Sequence, residues 1–261
     1  MHVTTLAAVA ALTVSLAGTA ALAPAGAAPS APTDRAGSFT VTASVDQTEP
    51  LLGTRVTIKG AVRPAVPGAE VTLQVKYEGR GWKAIDHGRL NQSGRFRFKD
   101  KVGSVRERRY RVVKPADGHR AAGRATTENV TVFGWRSLLS LQAVQSVGFG
   151  SGQATLNGTA FPSSLLTEGG GPQPFHVDYN LNHDCKQLRG TFGLDDRSPA
   201  AGSATLSLTA DGVQKFVGGF ALTQSQAVTA DVSDVFRITI AAVTSGGGTA
   251  AVGTPQVLCS F

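Results

Sequence analysis

The sequence predicts an all-β protein made of two β-sandwich domains. Three observations support this fold class. Apolar and polar residues alternate over short stretches from residue 38 onward, which is the period of a half-buried strand. Gly makes up 31 of the 261 residues and occurs with Asn, Asp and Pro between these stretches, as tight turns require. Thr and Val are abundant and long apolar stretches of helical spacing are few, which favours strands over helices.

The N-terminal segment has the pattern of a secretion signal. The apolar run LAAVAALTVSLAGTAALA is followed by small residues, with an A-x-A cleavage pattern at Ala25 to Ala27. A membrane anchor fits less well, because Gly and Pro interrupt the run and no later segment has the ~20 apolar residues that a span needs. We therefore expect residues 1–27 to be a signal peptide, residues 28–37 to be a flexible linker, and the mature protein to be secreted without a membrane span. The roughly 230 remaining residues suffice for two domains.

The first domain, residues 38–134, is predicted from alternating stretches separated by turns such as Pro67-Gly68 and Asn91 to Gly94. The predicted strands are residues 39–45, the stretch around Val56 and Ile58, VTLQVKY (71–77), RFRF (95–98), YRVV (110–113) and TENVTVF (127–133).

Positive charge is concentrated in this first half. Residues 38–136 contain 19 Lys and Arg against 9 Asp and Glu, whereas residues 137–261 contain 5 against 8. Such a half attracts polyanions, or it is simply a well-solvated surface. The run RERRYR, residues 106–111, suggests nucleic acid, but alternate residues of a strand face opposite sides and do not line one groove. We therefore expect no specific nucleic-acid partner and keep a generic attraction to anionic wall polymers or DNA as the alternative.

The second half continues the strand pattern. Apolar residues alternate in FHVDYNL (175–181), and Leu188, Phe192 and Leu194 face a core in the next strand. The segment ATLSLTADGVQKFV predicts a hairpin that turns at Asp211-Gly212. VTADVSDVFRITIAAV then predicts another strand pair. In that pair the residues predicted to share one face are Phe236, Ile238 and Ile240.

Two cysteines, Cys185 and Cys259, are best explained as one disulfide in an exported chain. The alternative is a thiol nucleophile or a metal ligand, which needs a reduced cysteine and a partner histidine. His176 and His183 lie on the outward side of the 175–181 strand and its turn. They have no matched set of metal ligands, so we expect them to be exposed polar residues.

The ordered phrases of the first half resemble a known family. PLLGTRVTIKGAV, AEVTLQVKYEGRGWKAI, NQSGRFRF and YRVVKPADG are similar to the bacterial Ig-like repeat domains of exported proteins, over residues 38–133. The resemblance implies an Ig-like sandwich that spaces, displays or adheres, with no chemistry of its own. In the Ig-like pattern Trp82 follows a Gly turn and is expected to pack in the core; the alternative is a platform for a ligand.

The second half resembles the NPCBM family of carbohydrate-binding modules over about residues 137–261. The phrases that carry the likeness are TLNGTAF, HVDYNLNHDCKQLRGTFGLDD, SATLSLTADGVQKF and VTADVSDVFRITI. The resemblance implies a jelly-roll domain, residues 135–261, that recognises galactose-type or related glycans, with calcium in some members. Asp195 and Asp196 stand at the family's acidic position, where they could accept sugar hydroxyls or bind calcium. The alternative is that they are loop carboxylates bonding the amides of their own turn.

These observations predict a secreted, non-catalytic glycan-binding protein, with the jelly-roll as the binding domain and the Ig-like domain as a spacer. No H-E-x-x-H, G-x-S-x-G or phosphate-binding Gly-rich motif occurs, so we expect no enzyme activity; a hydrolase with paired carboxylates is the weaker alternative. The main alternative is a structural or adhesive cell-wall protein that binds anionic polymers through its basic N-terminal domain. We expect a monomer and no cofactor, with a calcium ion as the alternative.

Overall fold

The computed structural model describes residues 37–169 and 174–261. The predicted signal peptide (1–27) and, apart from Gly37, the predicted linker (28–37) lie outside the described residues. The described residues belong to one compact unit. The all-β prediction is confirmed, because the described chain folds into antiparallel strands and its regular helical structure is a single 3-10 turn, Leu138–Ser140. Within the described ranges, none of the helical structure has the length and apolar character needed to cross a bilayer.

The first half forms a β-sandwich of two sheets. One sheet has the strand order β1-β2-β5 and the other has the order β4-β3-β6-β7. The strands are β1 (Thr40–Val45), β2 (Arg55–Arg63), β3 (Glu70–Tyr77), β4 (Lys83–Arg89), β5 (Arg95–Lys101), β6 (Arg108–Lys114) and β7 (Gly123–Thr126).

Alternation along these strands builds the first core. Val56 and Ile58 of β2 and Phe96 and Phe98 of β5 face the same side and are buried against the inward residues of β3 and β6. The RERRYR run behaves as its period predicts: Arg108 and Tyr110 face the core, while Arg109 and Arg111 face outward. Arg108 is almost fully buried. Its guanidinium donates to the Ser104 carbonyl at 2.5 Å and hydroxyl at 3.0 Å.

Two predictions for the first half are wrong in detail, and one strand is missed. Trp82 is not in the core; it is partly exposed, lies just before β4, and stacks on the guanidinium of Arg111, whose carbon is 4.3 Å from the ring centroid. The stretch 127–133 is not a strand, because its contacts are isolated bridges at Val130 and Phe133, and the strand that pairs with β6 is β7. β4 was not predicted, since nearly all its residues are exposed and show no alternation.

The second half forms a larger sandwich. One sheet has the order β10-β11-β18-β13-β16, with β8 also paired to β18, and the facing sheet has the order β15-β14-β17-β12-β9. The strands are β8 (Gly134–Ser137), β9 (Ala143–Val147), β10 (Phe149–Leu156), β11 (Thr159–Thr167), β12 (Phe175–Asn180), β13 (Cys185–Leu194), β14 (Ser203–Ala210), β15 (Val213–Ala221), β16 (Ser225–Asp231), β17 (Arg237–Ser245) and β18 (Ala250–Cys259).

Most of the second-half pattern is confirmed. Phe175, Val177 and Tyr179 are buried on one face of β12, and β14 and β15 meet at Asp211-Gly212, where both residues have positive φ, as the predicted two-residue hairpin turn requires. The placement of Phe236 is wrong. It precedes β17 and is exposed, while Ile238 and Ile240 are buried.

The predicted disulfide is confirmed. Cys185 at the start of β13 and Cys259 at the end of β18 are directly opposite each other in the sheet and are bonded. Both are buried, and the described chain contains no free cysteine. The bond fixes the C-terminal strand to the turn before β13.

Between the two sandwiches, Lys186 Nζ lies 3.2 Å from Glu49 Oε1 and above the ring of Phe133.

Candidate functional site

The candidate site lies at the end of the second sandwich where the loops after β13 and β17 meet the β10–β11 hairpin. Asp195 follows β13 and only 1% of its side chain is exposed, whereas 69% of the neighbouring Arg197 side chain is exposed. Arg197 donates from Nε to Asp195 Oδ1 and from Nη2 to Oδ2, both at 2.8 Å. The Arg197 amide also donates to Oδ1 at 2.9 Å. A buried carboxylate thus fixes an exposed guanidinium in a bidentate geometry.

The electrostatics of Asp195 follow from this pair. Burial alone raises the pKa of the carboxyl, but the hydrogen bonds from Arg197 and its positive charge outweigh burial and hold the Asp195 pKa below its ordinary value. The same contacts raise the pKa of Arg197. The pair is therefore ionised at neutral pH, as a charge-assisted pair should be.

Asp196 supports the neighbouring hairpin. Its two carboxylate oxygens accept hydrogen bonds from the amides of Asn157 and Gly158, at 3.1 and 2.8 Å. Asn157 and Gly158 both have positive φ and form the two-residue turn between β10 and β11. In return, the Asp196 amide donates to the Thr155 carbonyl. Asp196 therefore ties the loop after β13 to the hairpin tip.

The loop between β17 and β18 joins the same cluster. The Asp195 amide donates to the Thr249 carbonyl at 2.9 Å, and the Thr249 amide donates to the Ser198 hydroxyl at 3.0 Å. At the end of β11, the Thr167 hydroxyl accepts a hydrogen bond from the Ala250 amide at 3.0 Å. Four chain segments are therefore locked together at one end of the sandwich, and Arg197 projects from them.

The chemistry offered to a ligand is mainly hydrogen bonding. Nε of Arg197 donates to Asp195, and Nη2 donates both to Asp195 and, at 2.7 Å, to the Gln153 carbonyl. Nη1 makes no hydrogen bond to a described residue. Nη1 therefore keeps two N–H donors, on a side chain that is 69% exposed and held by Asp195. The loops 195–202 and 245–249 contain no aromatic residue. The adjoining hairpin has two aromatic residues: Phe149 is buried, and Phe161 is partly buried and packed over Gly253.

The other predicted site residues lie elsewhere. His176 is half-buried on β12, and His183 is exposed in the turn after β12, where its Nδ1 lies 2.7 Å from the Asp234 carbonyl oxygen. In residues 37–169 and 174–261, no three His, Cys, Asp or Glu side chains are grouped so as to hold a metal ion. The ligand-binding roles of Asp195 and Asp196 and the calcium site stay predictions.

Arg197 and the Asn157-Gly158 turn were not identified from the sequence as parts of the site. Both left a signal. Asn-Gly between two alternating stretches is a strong hairpin signature, and a turn of the form Asp-x-Arg places a guanidinium within reach of the first carboxylate. What the sequence does not reveal is that these two features meet in space.

Comparison with known proteins supports the likeness of the second half. Residues 131–252 match the family model described as NPCBM/NEW2 domain, which is a little under half of the chain. The search for similar curated proteins found no match.

Similar solved structures include modules from Clostridium perfringens. The M60 catalytic domain of ZmpB with its CBM51-1 and CBM51-2 domains is 11% identical, with a TM-score of 0.40, over 85% of this chain and 31% of that chain. The CBM51-2 and INT domains of ZmpB are 13% identical, with a TM-score of 0.40, over 61% of this chain and 39% of that chain. The CBM51 of GH95 in complex with methyl-galactose is 14% identical, with a TM-score of 0.38, over 47% of this chain and 99% of that chain. The present chain thus spans about a third of the length of the first two.

Proposed function

We propose that this chain is a secreted, non-catalytic carbohydrate-binding protein. In this proposal the second sandwich (residues 135–261) binds a glycan and the first sandwich (residues 38–134), an Ig-like domain, acts as a spacer. The observation that carries the proposal is the match of residues 131–252 to the NPCBM/NEW2 domain, a family of carbohydrate-binding modules by the resemblance set out above. The rigid loop cluster around Arg197 supplies the chemistry for it.

The site would bind sugar hydroxyls through fixed polar groups. Nη1 of Arg197 presents two donors whose direction is set by the bidentate bond to Asp195, so little side-chain entropy is lost on binding. Asp196 accepts two amide hydrogen bonds, and a carboxylate has about four lone-pair sites, so it retains acceptor capacity at the half-exposed surface. Asp195 would act by positioning Arg197, and Asp196 by accepting a hydroxyl.

The test is calorimetric titration of the full chain with galactose, N-acetylgalactosamine and glucose up to tens of millimolar. We expect saturable binding of a galactose-type sugar in the millimolar range. Arg197→Ala should weaken that binding at least ~10-fold, which corresponds to about 1.4 kcal/mol. Lys215→Ala, which removes an exposed cation from β15, is the matched control and should bind as wild type. Absence of saturable binding would overturn the function; unchanged binding by the Arg197 variant would overturn the site.

A further inference from the structure

The outer face of the β1-β2-β5 sheet carries a dense array of positive charge. The inward residues of β2 and β5 are apolar, so their alternate residues face solvent. On these two strands every outward Lys and Arg is exposed, and the set, called here the basic face, is Arg55, Lys59, Arg63, Arg95, Arg97, Lys99 and Lys101.

The strand register places like charges against each other. Arg55 is directly opposite Lys101, and Lys59 is directly opposite Arg97. Like charges in direct cross-strand pairs destabilise a sheet. None of the basic-face side chains makes an ion pair with a described residue. The fold therefore tolerates repulsion on this face that a mixed surface would avoid.

The carboxylates of Asp100 and Asp46, near the face, accept hydrogen bonds from residues outside the basic face. Asp100 lies on β5 but faces inward, where it accepts a hydrogen bond from the Tyr110 hydroxyl at 2.7 Å. Asp46, just beyond the end of β1, accepts a hydrogen bond from the Thr57 amide at 2.8 Å. The pKa of Asp46 is lowered mainly by the hydrogen bond from the Thr57 amide and also by the positive charge of Lys59. Neither carboxylate forms an ion pair with a basic-face cation, so Lys59 is compensated in part and most of the positive charge on the face is not.

An open cleft of about 720 Å³ runs over one end of the face. Its lining contains no Asp or Glu. The charged side chains that line it are Lys59, Arg63, Arg89, Arg95 and Arg97, accompanied by the hydroxyl groups of Thr42 and Ser44 and the amide of Asn91. Positive charges are thus combined with neutral hydrogen-bonding groups in one concave surface.

The spacing suits a linear polymer. Outward residues are about 7 Å apart along a strand and about 5 Å apart between strands, so the charges form a continuous grid rather than a point site for one small anion. Outward residues of β1, β2 and β5 include no aromatic ring. Phe96 contributes to the lining of the cleft, but it is an inward residue with only 5% of its surface exposed, so it offers no open ring face on which a base could stack. In the part of the chain that the structure describes, no helix projects from the face to enter a groove. These features favour an anionic polysaccharide over a nucleic acid.

We propose that the basic face is a second binding surface, specific for linear anionic polysaccharides. It is independent of the neutral-sugar site on the second sandwich and goes beyond the function proposed above. Hydroxyl and amide groups contact the sugar, and Lys and Arg side chains contact the carboxylate or sulfate groups. Binding releases counterions, so its affinity falls steeply as salt rises.

The experiment compares two triple variants of the full chain with equal loss of charge. The face variant is Lys59→Gln, Arg97→Gln and Lys99→Gln. The control variant, Arg80→Gln, Lys83→Gln and Arg106→Gln, removes exposed cations of the same sandwich that lie off the face. Binding to polygalacturonate, dextran sulfate, neutral dextran and a 20-base-pair DNA duplex is measured from 20 to 300 mM salt. The first two probes separate carboxylate from sulfate recognition.

We expect the wild type to bind at least one anionic polysaccharide and not neutral dextran. The face variant should bind at least ~10-fold more weakly at 100 mM salt, with a shallower dependence of log Kd on log salt, while the control variant stays within ~3-fold of wild type. The melting temperature of the face variant should equal or exceed that of wild type, since repulsion is relieved. If the face variant does not fold, Arg55→Gln with Lys101→Gln repeats the test at the other end of the face.

Four results would overturn the proposal. Equal weakening in both triple variants would show that net charge alone matters, and tighter binding of the DNA duplex would assign the face to nucleic acid. Salt-sensitive dimers of the wild type that the face variant abolishes would assign it to a second copy of the chain. If the wild type binds none of the anionic probes at 20 mM salt, the basic face is not a binding surface. Neutral-sugar titration of the face variant should be unchanged, so failure here and failure of the proposed function are distinguishable.

Discussion

Removal of the Cys185–Cys259 disulfide should destabilise the second sandwich strongly. The bond closes a loop with a sequence separation of 74. In the chain-entropy model, removing the cross-link increases the conformational entropy of the unfolded chain. The free energy of unfolding therefore falls by roughly 4 kcal/mol. The native contacts change little, because Cys185 and Cys259 lie on adjacent strands whose ladder of backbone hydrogen bonds remains.

The suitable perturbations are Cys185→Ala with Cys259→Ala, and reduction of the wild-type protein under otherwise identical conditions. Alanine is preferred to serine because both positions are buried and a hydroxyl there would lack a partner. Urea unfolding should show the free energy of unfolding reduced by about 4 kcal/mol. The thermal midpoint should fall by roughly 8 to 16 °C, at about 2 to 4 °C per kcal/mol for a unit of this size.

Val257→Ala, at a buried position on β18 two residues before Cys259, separates packing loss from loss of the cross-link. The reasoning is refuted if both the reduced wild type and the double variant unfold within 1 kcal/mol of the oxidised protein. It is also refuted if the native, unreduced protein reacts with a thiol reagent at two sites.

Two further predictions concern hydrogen-bonded pairs with one buried partner, Asp195 and Tyr110. Asp195→Asn should lower the free energy of unfolding by about 2 kcal/mol at pH 6. Because the folded pKa of Asp195 is depressed, its stabilisation is present above the unfolded-state pKa of about 3.9 and is lost as pH falls through the folded pKa. The difference from wild type should therefore shrink in urea titrations at pH 3, and a constant difference would contradict the role of the Arg197 charge. Tyr110→Phe should cost about 1–2 kcal/mol, since the lost hydroxyl donates to Asp100 at 2.7 Å; calorimetric midpoints equal to wild type would contradict it.

The strands that the sequence predicted well are those with one buried face. In β12 and β3 the period-two alternation of Val, Leu, Phe and Tyr is produced directly by burial, so the pattern and the structure have the same cause. β4 lacks this cause. Nearly all its residues, Lys83 to Arg89, are exposed and it is held to β3 by backbone pairing, which leaves no apolar signature in the sequence.

Trp82 and Phe236 show the converse error. Both are large apolar residues that a sequence pattern assigns to a core, yet each lies just outside a strand and stands beside an arginine, Arg111 and Arg237 respectively. A guanidinium over an aromatic face stabilises a partly exposed ring, and the partner comes from a neighbouring strand or from the next residue. For Trp82 that partner depends on strand register, which the local sequence does not specify.

The candidate site was predictable only in part. The family likeness points to Asp195 and Asp196, and the structure places them at the loop end of the second sandwich with both carboxylates already hydrogen-bonded. The contribution of Arg197 depends on which of its donors remain unoccupied, and that is a three-dimensional property. The basic face likewise depends on the β2–β5 register, because neither strand alone shows that the charges stand opposite each other.

The most direct test of the central claim is a backbone-amide NMR titration of the full chain with galactose, or with whichever neutral sugar binds best by calorimetry. We predict saturable shifts confined to the Asn157-Gly158 turn, residues 195–198 and residues 245–249. Shifts centred on any other part of the chain, or no shifts at saturating sugar, would contradict the claim that this loop cluster binds a glycan.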